Sequence, residues 1–415
     1  MATKHLNRTL GILLALIFAG KIAITAALLF GLDIQRGSDD YRLIALNLRA
    51  GQGFVLERGE SPNLWRPPLY PFMLAGIYGL AGDHHGAVVV VQALLDVLTC
   101  WLVFLIGRRI FDERVALVAA GLWGFYPLST YFTARVMTES LFALLLALSI
   151  LVLLRAREKP SGPCLLAMGV IQGLTALCKA SMLYSAVLMV AYLLAARTAR
   201  RQIRLRHVAL LALGFAVVVA PWTVRNYAVS HRFILISSPG SYAFWSGNFY
   251  PTQGRDDDEL NAQELQTLEE ARTRIARNNP DFMAVENSAL FMQDALASIR
   301  NHPGQFVWLV FEKFLRFWFA PFHPRTRHFF AAVTLIQLAV LLPAAWGIVL
   351  ALRRRKAVAP LLLFICYLVP LHALTSATVR YSIPIMPYMI LFAVYGVGEA
   401  IRPWLAESSI REATG

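Results

Sequence analysis

Charge is what this sequence has least of. Only 15% of its 415 residues are Asp, Glu, Lys or Arg, against about 25% in a soluble domain, so most of the chain cannot face water. Acidic residues are the scarcer sign, 25 against 39 basic. The surplus of +14 does not indicate a nucleic-acid partner, because the basic residues stand in short clusters between long apolar runs, which is an orientation signal. Cysteine is scarce as well. Cys100, Cys164, Cys178 and Cys366 lie in or beside apolar runs, with no CxxC and no metal-ligand spacing, and read as small buried hydrophobes. The nine histidines are scattered, so no catalytic metal is expected. A glycine-rich strand-turn-helix fingerprint, an internal repeat and a soluble stretch able to house a nucleotide-sugar domain are all missing.

What is present is hydrocarbon, 57% of the residues. Apolar runs near the ~20 residues that span a bilayer occur at about 10–31, 88–107, 115–131, 138–154, 164–179, 181–196, 208–226, 329–352, 357–376 and 382–400. The first is longer than a signal-peptide core and has no clear cleavage site, so it reads as a retained helix. Basic clusters occur at Lys4 and Arg8, at Arg108, Arg109 and Arg114, and at Arg155, Arg157 and Lys159. Two more are Arg197 to Arg206 and Arg353 to Lys356. All five fall on one side if each run crosses once, and the positive-inside rule makes that side cytoplasmic. The expected fold is therefore an all-α polytopic membrane protein of about ten transmembrane helices, with both termini cytoplasmic.

Two long connections fall on the opposite, outer side. In the first, 32–87, Tyr41, Ile44, Ala45 and Leu48 recur at helical spacing, which predicts a short surface helix ended by Gly51 and Gly53. The apolar, proline-containing stretch that follows is too short for a clear span and reads as re-entrant or interfacial. In the second, 227–328, residues 255–279 predict a solvated helix, and the aromatic run broken by Glu312, Lys313 and Arg316 predicts an interfacial one. The chain thus divides into an N-terminal membrane module (1–226, including outer loop 32–87), an outer loop (227–328) and a C-terminal membrane module (329–415).

Polar groups at the edge of apolar helices are costly and point to function. Six separate segments deliver them to the outer level: Asp39 and Asp40, Arg66, Arg135 and Glu139, Lys179, Arg225 and Asn226, and Arg380 with Tyr381. Singly, each could be a helix cap or an interfacial anchor. Together, carboxylates facing several cations suggest an anionic ligand and a general base. A sugar carried on a lipid phosphate fits, since Arg and Lys can hold the phosphate and a carboxylate can take the proton of the acceptor hydroxyl.

At these residues the chain resembles the glycosyltransferase-C superfamily, in the branch of bacterial protein mannosyltransferases and aminoarabinose transferases. The likeness rests on Asp39-x-Tyr41 before Ala45, Asn47 and Leu48, on Arg66 to Pro71 including Tyr70, and on Glu139 in its MTES turn. It continues at Pro221, Trp222, Arg225, Asn226 and Tyr227, and at Arg380, Tyr381, Pro384 and Pro387. The resemblance implies an enzyme of the bacterial cytoplasmic membrane whose active site faces the periplasm. It would use a polyprenyl-phosphate sugar donor and an extracytoplasmic acceptor that is lipid, glycan or protein, and would invert the sugar's configuration. Asp39 or Asp40 would be the base. Tyr41, Arg66, Tyr70, Arg135, Glu139, Lys179, Arg225, Asn226, Arg380 and Tyr381 would contact substrate. No cofactor is implied beyond the donor, with an auxiliary divalent metal left open. Two departures stand out: Gly37 and Ser38 occupy positions where relatives often carry the Asp, and Lys179 stands where they often have Arg. A transporter or flippase of lipid-linked sugars, or a non-catalytic envelope scaffold, are the rival readings. Charges strung through mid-bilayer and repeated helix sets would favour transport.

Overall fold

The computed structural model describes residues 2–31, 39–59, 61–196, 203–255, 257, 260–276, 284–319 and 330–414, and of residues 2–4, 30, 31, 39 and 403–414 the backbone alone. The N-terminal part runs α1 (Ala2–Gly31), α2 (Asp39–Arg49), α3 (Leu69–Ala81), α4 (His85–Ile110), α5 (Glu113–Gly124) and α6 (Pro127–Thr133). It continues through α7 (Glu139–Glu158), α8 (Gly162–Cys178), α9 (Ser185–Ala195) and α10 (Leu205–Ser230). The outer connection holds α11 (Gly240–Gly247), α12 (Ala262–Ile275), α13 (Ser288–Asn301) and α14 (Pro303–Phe319). The chain closes with α15 (Phe330–Arg353), α16 (Ala359–Leu374) and α17 (Met386–Thr414).

The protein is an all-α polytopic membrane protein. Among the described residues, six helical stretches are long and apolar enough to cross a bilayer, and α5 with α6 makes a seventh bent by 50°. The expected run at 115–131 is therefore broken, because Pro127 opens a new helix after an extended Tyr126. Helices α3, α8, α9 and α16 are apolar but shorter. Ion pairs show which turns share an end. Arg109 meets Glu158 at 3.5 Å, and Arg354 meets Glu399 at 2.6 Å. Phe111 stacks on Tyr395 at 4.5 Å, so these basic turns gather at one end. Glycine permits the closest crossings: at Gly169 and Gly214 a side chain would run into the backbone of the facing helix, which brings α8 and α10 together.

A charge pair lies within the helix bundle itself. Lys21 of α1 is 3.0 Å from Asp96 of α4, both buried. Lys21 also donates to Ser129 (2.9 Å) and Thr133 (3.3 Å), and Thr133 donates to Asp96 at 2.5 Å. In hydrocarbon an unpartnered charge is expensive, so the pair and its hydroxyls fix α1 against α4 and α6.

The helices of the outer connection have their own core of Trp245, Leu268, Ala271, Phe291 and Ala295. Helix α12 starts on a capping box between Asn261 and Glu264, while α14 leaves Val307, Trp308, Phe311 and Phe314 exposed along one stripe. Its opposite face sends buried Lys313 to four acceptors: Gly247 O (3.0 Å), Asn248 Oδ1 (2.8 Å), Leu374 O (3.3 Å) and Thr375 O (3.0 Å). The α11 end and the α16 end thus meet on one ammonium.

Breaking the buried pair tests its weight. Asp96→Ala should lower stability by about 3–5 kcal/mol, because it strands the Lys21 charge, and Lys21→Met with Asp96→Leu should recover most of that. Thermal unfolding in detergent decides it; an unchanged midpoint for Asp96→Ala would show that the pair contributes nothing.

Candidate functional site

The site lies at the end of the bundle away from the clustered basic turns. Its first half comes from α2 and the loop behind it. Gly51 and Gly53 adopt φ of 72° and 84°, which only glycine takes readily, so the chain turns back after α2. Asn47 then ties that return by donating to Val55 O (3.1 Å) and Leu56 O (2.8 Å). Asn63 Oδ1 accepts from the amides of Trp65 (3.1 Å) and Arg66 (2.9 Å). The result delivers Arg66 to Asp40 in the first turn of α2. Nε and Nη2 of Arg66 donate to Asp40 Oδ2 at 3.1 and 2.5 Å. The same guanidinium lies 5.1 Å over the Tyr41 ring, and Tyr41 meets Tyr70 edge-on at 5.2 Å. Tyr70 in turn donates to Gln92 at 2.8 Å. The side chain of Asp39 lies outside the described part of the structure.

The second half comes from three turns. Glu139 opens α7, Lys179 caps the C-terminus of α8, and Arg380 belongs to a 3-10 turn, Val379–Ile385. Arg380 Nε is 3.5 Å and Lys179 Nζ 3.8 Å from Glu139 Oε1. These are ion-pair distances too long for good hydrogen bonds, and both oxygens of this fully buried carboxylate lack a hydrogen-bond partner. Arg380 Nη2 donates to the Tyr381 hydroxyl at 3.0 Å, Lys179 lies 4.5 Å over the Tyr381 ring, and that ring stacks on His372 at 4.2 Å. Two cations on one carboxylate leave one positive charge in surplus at a desolvated level.

The halves share one electrostatic field. Desolvation raises the Tyr41 phenol above its ordinary pKa, while the charges of Arg66 and Arg380 pull it down and Glu139 pushes it up. Arg66 is penalised by desolvation, yet Tyr41 and Asp40 more than offset this and its pKa is raised. Such a site can hold an anion on its cations while a carboxylate stands beside it to receive a proton.

Other residues singled out in the sequence face different partners. Arg225 donates to Asn63 O (3.1 Å) and Asn226 Oδ1 (3.1 Å) and lies over Trp222 at 4.7 Å. Asn226 donates to Ile234 O (3.1 Å) and Ile236 O (3.0 Å). Arg225 thus fastens the end of α10 to the first outer loop, and Asn226 fastens it to the start of the second. Arg135 donates to Tyr131 at 2.7 Å, and its carbonyl accepts from Gln92 at 2.7 Å. Sequence reasoning passed over His372 and Gln92, although a polar residue inside an apolar run is itself a signal.

Residues 65–224 match the family model of dolichyl-phosphate-mannose-protein mannosyltransferases. No curated protein matches the chain. Among solved structures, the archaeal oligosaccharyltransferase AglB from Archaeoglobus fulgidus, in complex with an inhibitory peptide and a dolichol-phosphate, is similar with a TM-score of 0.54 at 14% identity. That likeness covers 96% of this chain and 52% of AglB. ArnT from Cupriavidus metallidurans bound to undecaprenyl phosphate gives a TM-score of 0.44 at 15% identity, over 98% of this chain and 81% of that one. The family match and the AglB fold support the resemblance to the glycosyltransferase-C superfamily.

The division of labour among the basic residues can be measured with an anionic amphiphile such as dodecyl phosphate. Arg380→Gln and Lys179→Gln should each weaken its binding roughly tenfold, the scale of a lost hydrogen bond to a charged group. Arg225→Gln should lower the unfolding temperature instead and leave that affinity within about twofold, because its bonds go to the Asn63 carbonyl and the Asn226 side chain.

Proposed function

We propose that this protein is a glycosyltransferase that takes one sugar from a polyprenyl-phosphate donor and passes it to an acceptor outside the cytoplasm. The observation that carries the reading is the positive surplus of Lys179 and Arg380 over the orphaned Glu139 carboxylate, beside an Asp40 carboxylate. A lipid phosphate would place its charge at that level and leave its tail in the bilayer. The family match adds weight because it takes in Arg66, Tyr70, Arg135, Glu139 and Lys179.

In this reading Asp40 is the general base. Arg66 occupies only Oδ2 of Asp40, so Oδ1 is available to accept from the acceptor hydroxyl. As that oxygen attacks the anomeric carbon, its proton passes to Asp40 and the bond between that carbon and the phosphate oxygen breaks. The electron pair leaves with the phosphate, where Arg380 and Lys179 stabilise the growing charge and make a general acid unnecessary. Attack opposite the phosphate inverts the anomeric carbon. Arg66 orients Asp40, and Glu139 holds the two cations near each other before the donor arrives. The active site faces the periplasm of a bacterial inner membrane, with both chain ends cytoplasmic.

Asp40→Asn should reduce transfer from a radiolabelled polyprenyl-phosphate sugar by about 10²–10⁴-fold, the usual contribution of a general base, with donor binding unchanged. Asp39→Asn should fall less than about tenfold. Full activity in both variants would remove the carboxylate base from the mechanism.

A further inference from the structure

A cavity lies in the outer connection, apart from the charged cluster. It is a cleft of about 920 Å³ between the segment after α11, helices α12 and α13, and the start of α14. That volume is at the upper end of small-molecule sites, which run about 300–1,000 Å³. Its lining is mixed. Half-exposed Tyr250 offers a ring face, and Glu270, Arg274, Asp294, Asn301 and Gln305 offer planar polar groups around it. The floor is firm, because Ala271 belongs to the core of the outer helices and Asp294 is fixed by the Trp245 indole at 2.9 Å.

We infer that this cleft binds a carbohydrate, and that the acceptor of the transfer is a glycan. Planar carboxylate, carboxamide and guanidinium groups pair with neighbouring hydroxyls two at a time, and an aromatic face covers the apolar side of a sugar ring. The charge is nearly balanced: Glu270 and Asp294 oppose Arg274, which sits 3.9 Å from Asp294. A phosphate would find no cationic surplus here, unlike at Lys179 and Arg380. A peptide would ask for a free strand edge or an apolar stripe at helical spacing; the described residues contain no strand, and charged and amide side chains interrupt the apolar part of the lining. The cleft is also in mechanical continuity with the charged cluster. Tyr242 of α11 packs on Trp65 at 5.1 Å, next to Arg66, and Ser238 donates its amide to Leu64 O at 2.9 Å.

Carbohydrate binding stands by itself; that the bound glycan is the acceptor rests on the transferase reading. The full chain in nanodiscs would be tested against immobilised di- to tetrasaccharides of bacterial surface glycans, against short arrayed peptides, and against dodecyl phosphate. The expected result is binding to a subset of the saccharides that Tyr250→Ala and Asn301→Ala each weaken roughly tenfold, with dodecyl phosphate binding unchanged. No saccharide binding, saccharide binding that both variants leave intact, or peptide binding lost in their place would overturn the inference, while retained dodecyl phosphate binding would leave the donor site standing. Saccharide binding by a chain whose Arg380→Gln variant still holds dodecyl phosphate fully would support the cleft and count against the proposed donor site.

Discussion

A charge taken out of water must find its partner inside the protein, and this constraint organises the molecule. Lys21 finds Asp96 and three hydroxyl-bearing residues. Lys313 finds four neutral acceptors. Glu139 is left with cations at ion-pair distance and no hydrogen bond. Two of these arrangements are saturated and serve to hold helices in place. The third is unsaturated, and an unsaturated charge cluster is what a ligand can complete.

Much of the architecture was legible because lipid writes in long words. Runs of hydrocarbon at 88–107 and 208–226 reappear inside α4 and α10, and residues 330–352 of the run at 329–352 fall in α15. Three of the basic turns, around Arg109, Arg157 and Arg354, collect at one end; residues 197–202 of a fourth lie outside the described residues. The short surface helix before Gly51 and the interfacial helix around Lys313 were readable from spacing and from mixed composition. The break at Tyr126 was not, although Pro127 marked it, because hydropathy averages over a residue that changes direction.

The cluster was half legible. Asp40, Arg66, Glu139, Lys179 and Arg380 announced themselves as charges at one level, and the fold brings them into two adjoining groups. Sequence could not say which cations gather on a carboxylate and which are tied to a loop. Arg225 looks equivalent to Arg380 in a list of charges. Its guanidinium is spent on the carbonyl of Asn63 and the side chain of Asn226, a distinction that exists only after a loop of long sequence separation has closed. His372 escaped notice for a similar reason: its meaning comes from the Tyr381 ring against which it lies.

The seat of Lys313 carries an implication for pruning the molecule. Its acceptors come from residues 247–248 on one side and 374–375 on the other. A shortened chain that spliced α10 directly to α14 would remove the first pair and keep the lysine, leaving an ammonium half-served beneath the membrane face. A chain of this frame lacking residues 247–248 would leave a lysine at 313 only the Leu374 and Thr375 carbonyls, so that residue and the α11 end are best altered together.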